Sequence, residues 1–252
     1  VSGDRLGLLH DVADAVAGVL RDVVDWGPSG RRTGQYAADL LADAAALDVL
    51  RRAGVGVLSE ESGLERPEHR EVVVIDPLDG STNASRGIPW FATSLCLVDR
   101  DGPAVALVAD QASGRRWWAE RGGGAWRDGA RLAPSGCADP GAAIVGLNGP
   151  PSAGLGYAQV RVFGALALDL CLVASGSLDG YVDGVAEAHG VWDLAAGALI
   201  CSEAGAHVVD AWERDLFPLR HDARRTPVAA ATPQLLASMV AARRAAGPAP
   251  TP

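Results

Sequence analysis

A mixed α+β fold is what this 252-residue chain predicts, on three observations. Apolar residues recur at helical spacing in several segments. Short β-branched runs lie between those segments. Two pairs of such runs flank turn sequences, so the middle of the chain reads as hairpins rather than as a strict βαβ alternation.

The first helical segment covers residues 6–26, with Leu9, Val12, Val16, Val19, Leu20 and Val23 on its apolar face. Asp4, Asp11, Asp14 and Asp22 read as its solvated face, and Gly27-Pro28-Ser29-Gly30 stops it. A second helix is predicted over 37–52, closed by Gly54. Residues 55–58 form a short buried strand running out into Ser59-Glu60-Glu61-Ser62-Gly63. Val72-Val73-Val74-Ile75 is the next buried strand, broken by Pro77 and Gly80, which places Asp76 and Asp79 on a tight turn at its carboxyl end. Gly80-Ser81-Thr82-Asn83 then opens a helix.

Strands over 91–98 and 104–109 flank Asp99-Arg100-Asp101-Gly102, and strands over 117–120 and 125–127 flank Gly122-Gly123-Gly124. Beyond the Pro/Gly-rich segment at 149–154 come a helix over 166–174, a strand over 180–182 and a buried helix over 192–204 stopped by Gly205. A strand over 228–231 and a helix over 234–244 follow. The chain therefore divides into residues 1–148, residues 149–246 and a tail, 247–252, expected to be disordered.

Composition excludes several functions. The net charge of -9 argues against binding a nucleic-acid polymer. All 22 basic residues are arginine, which rules out a P-loop lysine, a Schiff-base lysine and a lysine general base. The four cysteines are widely spaced, without the C-x-x-C of a zinc or dithiol site. No apolar run approaches a membrane span and no signal peptide is visible, so the expected setting is cytoplasmic, with no membrane partner.

Four places carry residues suited to chemistry. Asp76 and Asp79 follow a buried strand, where α/β sites collect; the plainer reading is a polar turn. Carboxylate oxygens suit hard cations, and a helix start after Gly80 offers N–H groups to a phosphate. Glu60 and Glu61 end another strand in the same manner, or form a solvated acidic loop. Asp193 begins an apolar, small-residue helix, where it either caps the helix or points into a cleft. Asp39 lies in the second helix near Asp43 and Asp48, which reads first as a solvated face. His189 and Glu187 precede the Trp192 helix and read as exposed loop residues that could contact a substrate.

Asp76-Pro77-Leu78-Asp79-Gly80-Ser81-Thr82-Asn83 resembles the first signature of the inositol monophosphatase family, and Trp192-Asp193-Leu194-Ala195-Ala196-Gly197 resembles its second. Glu60-Glu61-Ser62 and residues 164–174 look like two further elements of the family, in the right order. The resemblance implies a layered α-β-α-β-α sugar-phosphatase fold and a Mg²⁺-dependent, lithium-sensitive phosphomonoesterase acting on a small phosphate ester, commonly as a homodimer. It implies that Glu60, Asp76 and the Leu78 carbonyl hold one ion. Asp76, Asp79 and Asp193 hold a second, and a weaker third lies near Glu60 with Asp39 acting through water. Ser81 and Asp39 would orient the attacking water, and Gly80, Ser81 and Thr82 would offer N–H groups to the phosphate.

Two features depart from the family pattern. Arg31-Arg32-Thr33-Gly34 stands where the family usually has a lysine, and neither arginine has an assigned role. The family's substrate-binding glutamate has Glu187 as its nearest match, displaced in register; Asp79 and Asp193 would share the substrate contact. Substrates in the family include inositol phosphate, fructose 1,6-bisphosphate, histidinol phosphate and adenosine 3′,5′-bisphosphate. Inositol phosphate and histidinol phosphate rank slightly ahead, because acidic Glu187 suits hydroxyl or amine groups better than a second phosphate.

Two other readings compete. Haloacid-dehalogenase chemistry needs Asp-x-Asp, whereas Pro77 and Leu78 separate Asp76 from Asp79. A non-catalytic metal-binding or regulatory homologue is expected to have lost a ligand, yet Glu60, Asp76, Asp79, Asp193 and Ser81 are all present.

Overall fold

The computed structural model describes residues 4–150 and 156–247. In chain order the elements are α1 (Arg5–Arg21), α2 (Ala37–Ala53), β1 (Gly56–Ser59), β2 (Gly63–Glu65), β3 (Val72–Asp79), α3 (Ser81–Ser85), β4 (Ala92–Asp99) and β5 (Gly102–Asp110). Then come β6 (Arg116–Glu120), β7 (Gly124–Arg127), β8 (Ala130–Arg131), β9 (Ile144–Asn148), β10 (Gln159–Arg161) and α4 (Leu166–Ala174). β11 (Gly180–Asp183), α5 (Val191–Ala204), β12 (His207–Asp210), β13 (Pro227–Ala230) and α6 (Pro233–Ala245) complete it.

An eight-stranded sheet has the order β2-β1-β3-β4-β5-β6-β7-β8, and a five-stranded sheet the order β10-β9-β11-β13-β12. Three apolar clusters make the layers. α1 and α2 pack on one face of the first sheet, through Leu9, Val12, Ala42 and Leu50 against Val57, Val73, Ile75 and Leu95. α4 and α5 are sandwiched between the first sheet's other face and the second sheet. α6 covers the second sheet's far face through Leu235 and Met239. The result is the expected α-β-α-β-α arrangement. It explains why Val72-Val73-Val74-Ile75 shows no polar alternation: both faces of β3 are buried, so every position is apolar.

Several boundaries differ from expectation. α1 ends at Arg21, not near Trp26. Asp22 is its C-cap, and the Asp25 carboxylate accepts the Gly27 N–H at 2.8 Å, a local turn that competes with helix. Asp4 is the N-cap, accepting from Gly7, so the supposed acidic helix face loses both its ends. β3 does not stop before Pro77. It runs on to Asp79 through a register shift between Asp76 and Asp79, where proline's missing N–H is tolerated. The Thr93 hydroxyl donates to the Pro77 carbonyl at 2.9 Å and holds the bulge in place.

Strands β2, β8, β9, β10 and β12 were not expected; each is two to five residues long, below the length at which periodicity is readable. β9 pairs with β11, so the change of sheet falls between Arg131 and Ile144, ahead of the Pro/Gly-rich segment at 149–154. Residues 151–154 of that segment, Leu155 after it and 248–252 of the tail lie outside the described residues. No described helix is long and apolar enough to cross a membrane.

α4 and α5 meet where a Cβ at Gly197 would stand 2.6 Å from the Leu170 Cβ. Gly197→Ala therefore has to push the helices apart. Overpacking of this kind is worth about 1–3 kcal/mol against a helix-propensity gain of about 1 kcal/mol. A lower urea midpoint with an unchanged slope is the expected result; a raised midpoint would contradict the close packing.

Candidate active site

Strand parity brings the carboxylates together. In β1, Val57 faces the α1–α2 layer and Leu58 the α4–α5 layer. Ser59 accordingly turns to α2, where its hydroxyl donates to Asp43 at 2.6 Å, and Glu60 follows Leu58 towards α5. In β3, Val72 and Val74 face α4–α5, so Asp76, two residues on, does too. The first turn of α5 stands at the same place and carries Asp193. One oxygen each from Glu60, Asp76 and Asp193 lie within 4.8 Å of one another.

Asp79 stands just past the bulge. Its Oδ2 accepts the Ala167 N–H at 2.7 Å, so it caps α4 from a distance. Leu78 lies inside the bulge, its N–H donating to Asp76 Oδ1 at 2.9 Å. Gly80 has φ 83°, and a Cβ there would sit 2.9 Å from the Trp90 carbonyl, so only glycine makes this turn without strain. α3 begins at once with Ser81 and Thr82, and the first N–H groups of a helix lack intrahelical acceptors. The Asn83 amide donates to the carbonyls of Trp90 and Phe163 at 2.9 and 2.8 Å, which fixes α3 beside the carboxylates.

Asp39 is not on a solvated face. It occupies the first turn of α2, is 4% exposed, and its Oδ2 accepts the Tyr36 N–H at 2.8 Å. Its Oδ1 is buried without a hydrogen-bond partner among the described residues. Burial pushes the carboxyl up to about 6, while the nearby Ser81 hydroxyl favours the charged form without completing a hydrogen bond. The Tyr36 hydroxyl donates to Thr82 Oγ1 at 3.2 Å, linking α2 to α3.

Burial, then Glu60, Asp79 and Asp193, hold Asp76 well above the ordinary carboxylate range. Burial and then Asp193 push both Glu60 and Asp79 up to about 8. Carboxylates this crowded resist ionisation unless a cation joins them. A purely oxygen donor set that gathers like charge fits a hard divalent ion such as Mg²⁺.

Three further neighbours join the site: Arg32, which the sequence left without a role, and Gln35 and His221, which it did not single out. Arg32 Nη2 lies 2.8 Å from Glu61 Oε2 and 3.4 Å from Glu60 Oε1. Gln35 donates to the same Glu61 carboxylate, whose side chain is 4% exposed. The His221 Nε2 meets the Glu60 carbonyl at 2.9 Å from a loop 161 residues away, a contact with no local signal. His189 is not an exposed loop residue: its side chain is 16% exposed and Nδ1 sits 3.3 Å from Asp193 Oδ2. The four-residue spacing from His189 to Asp193 was the one available clue. Burial lowers the His189 pKa, but the hydrogen bond its ring donates to Asp193 and the charges of Asp193 and Asp183 outweigh it and raise it overall. Glu187 is exposed, and its carboxylate is taken by Arg214 at 2.8 Å, which in turn grips Asp210.

The inositol monophosphatase family profile matches residues 29–247. The chain belongs to the inositol monophosphatase family. It is 36% identical to fructose-1,6-bisphosphatase of Pyrococcus furiosus over 195 residues, 75% of this chain and 74% of that protein. It is 35% identical to fructose-1,6-bisphosphatase/inositol-1-monophosphatase of Archaeoglobus fulgidus over 206 residues, 79% of this chain and 80% of that protein. The crystal structure of an inositol monophosphatase-fructose 1,6 bisphosphatase superposes with a TM-score of 0.83 at 25% identity, covering 95% of this chain and all of that one. The chain is thus a phosphatase of a metal-dependent family that acts on small phosphate esters.

Proposed function

We propose that this chain is a Mg²⁺-dependent phosphomonoesterase for a small polyol or sugar phosphate. The observation that carries the proposal is the meeting of Glu60, Asp76 and Asp193 oxygens within 4.8 Å. Glu60, Asp76, Asp79 and Asp193, with the Leu78 carbonyl, would hold two ions, and a third would lie near Glu60 and Asp39. When bound, the ions neutralise phosphate charge and acidify water.

The chain's own groups do the rest. Backbone N–H groups of Gly80, Ser81 and Thr82 orient the phosphoryl group, and the Gly80 turn keeps them in place without strain. The unpartnered Asp39 Oδ1 and the Ser81 hydroxyl beside it hold the attacking water in line, with Asp39 able to take its proton. Glu60 keeps the metal-side wall of the cleft negative, countered by Arg32. Phosphoryl transfer asks mainly for such positioning and charge stabilisation.

On the leaving-group side, Asp79 and Asp193 face the ester oxygen and Glu187 stands further out. Because Arg214 already neutralises Glu187, that carboxylate suits hydroxyl groups better than the ammonium of histidinol phosphate. A polyol or sugar phosphate is therefore ranked above histidinol phosphate. Fructose 1,6-bisphosphate and adenosine 3′,5′-bisphosphate are the other family substrates.

Phosphate release over a panel of these esters, with and without Mg²⁺, tests the proposal. The expected result is turnover of a polyol or sugar phosphate that EDTA abolishes and Mg²⁺ restores. Turnover unaffected by EDTA sinks the metal assignment; no turnover of any ester, with Mg²⁺ bound, favours a regulatory homologue. Lithium should inhibit the same reaction. A homodimer and a cytoplasmic location belong to the proposal, tested by light scattering and by cell fractionation.

A further inference from the structure

Glu60, Asp76 and Asp79 all stand at the ends of β1 and β3 in the first sheet, whereas Asp193 arrives on α5. The spacing of the group therefore depends on what fixes the Asp193 carboxylate. Two donors meet the same oxygen: Gly190 N–H at 2.8 Å and His189 Nδ1 at 3.3 Å, both on Oδ2. Neither hydrogen bond engages Oδ1. One backbone donor alone lets a carboxylate turn about its last bond; a second donor from a held ring stops it.

The ring is held. On its other edge Nε2 lies 3.3 Å from the Asn148 amide, 3.4 Å from the Tyr181 hydroxyl and 3.7 Å from Asp183 Oδ2. Asp183 is fully buried, its Oδ2 has no hydrogen-bond partner among the described residues, and the His189 ring stands 3.7 Å from that oxygen. Asp183 Oδ1 is engaged elsewhere, by Asn148 at 3.0 Å and by the Val185 N–H at 2.9 Å. Asn148 and Asp183 end neighbouring parallel strands β9 and β11 and are register partners. The backbone of His189 is itself bridged to Arg225, whose N–H donates to the His189 carbonyl at 2.8 Å.

We infer that His189, braced by Asp183 and Asn148 at the ends of β9 and β11, is a positioning residue that fixes the Asp193 carboxylate for its ion. The second sheet, which places no carboxylate in the group itself, thereby shapes it. The contact needs only a donor at Nδ1, so it works with the ring neutral or charged. Partners of this kind behind a metal ligand typically carry about 10–100-fold of metal affinity. The inference rests on the proposed metal site.

Calorimetric titration of the metal-free protein with Mg²⁺ tests it, on the wild type and on His189→Ala, His189→Asn and His189→Gln. An asparagine amide falls near Nδ1 and can still donate to Asp193; a glutamine amide falls near Nε2 and faces Asp183 instead. His189→Ala and His189→Gln should lose about 10–100-fold in Mg²⁺ affinity, with His189→Asn keeping most of it. At saturating Mg²⁺ the kcat of His189→Ala should recover towards wild type and its KM should stay near wild type. Wild-type affinity in His189→Ala, or a loss in His189→Asn as deep as in His189→Ala, overturns the clamp while leaving the metal site standing. A wild type that takes up no Mg²⁺ overturns both. If His189→Ala does not fold, the contrast between the asparagine and glutamine variants decides alone.

Discussion

Asp79→Asn should remove nearly all Mg²⁺-dependent phosphate release and leave the protein folded. The two expectations come from different atoms of one side chain. Asp79 Oδ2 accepts the Ala167 N–H at 2.7 Å, and an asparagine carbonyl oxygen can accept the same bond, so α4 keeps its cap. The lost quantity is charge. An amide binds Mg²⁺ far less well than a carboxylate, and removing one preorganised charge from a site that stabilises a phosphoryl transition state costs at least about 10²–10³ in kcat. Burial and the Asp193 charge also push the Asp79 carboxyl up to about 8, so at neutral pH and without metal it is under electrostatic pressure that the amide relieves. The melting temperature of metal-free Asp79→Asn should therefore equal or exceed that of the wild type. Normal turnover by this variant would falsify the placement of Asp79 in the site. A folded, more stable and inactive variant is the combination that separates a working carboxylate from a structural cap.

How far the site was legible in the sequence depends on the residue. Asp76 was legible because a run of four β-branched residues is a strand buried on both faces, and two-residue periodicity then carries the side of Val74 forward to Asp76. The same parity carries Leu58 to Glu60. Asp193 needed the α5 helix, whose small residues Ala195, Ala196 and Gly197 suit close packing on a sheet; α5 does pack on the first sheet, but its tightest glycine contact, at Gly197, is with Leu170 of α4. Asp39 was obscured because helical spacing alone ranks it with Asp43 and Asp48, and what distinguishes it is position in the first turn, with the Tyr36 N–H to cap. Arg32 and His221 were out of reach. They meet Glu60 from loops whose paths are set by tertiary packing, with no period to read. The layer order was legible only through the family resemblance, since strands as short as β9 and β12 leave no pattern of their own.

The metal-free protein should become less stable as pH rises from about 6 to about 8.5, and Mg²⁺ should reverse that trend. The sign follows from proton counting. Glu60 moves from 4.5 in an unfolded chain to about 8 in the fold, and Asp79 from 3.8 to about 8; Asp76 moves the same way. Between those limits the folded state binds more protons than the unfolded state, so its stability falls with increasing pH. The contribution is fully present below the unfolded values and is lost as pH passes the folded ones. Carboxylates whose pKa the fold lowers, such as Asp210 and Glu65, work in the opposite sense but only in acid, below the unfolded carboxylate range. Mg²⁺ binds the ionised group, so its stabilisation is weakest where those protons are held and grows as they leave. At a hundredfold excess over Kd the linkage is worth about 2.7 kcal/mol, on the order of 5–10 °C in Tm for a chain of this size. Melting curves in EDTA and in Mg²⁺ at the two pH values measure both effects. A metal-free Tm that climbs from pH 6 to pH 8.5, or a Mg²⁺ shift that is larger at the lower pH, would mean that these carboxylates are already ionised without a cation, and the electrostatic case for a divalent ion between Glu60, Asp76 and Asp193 would fail with it.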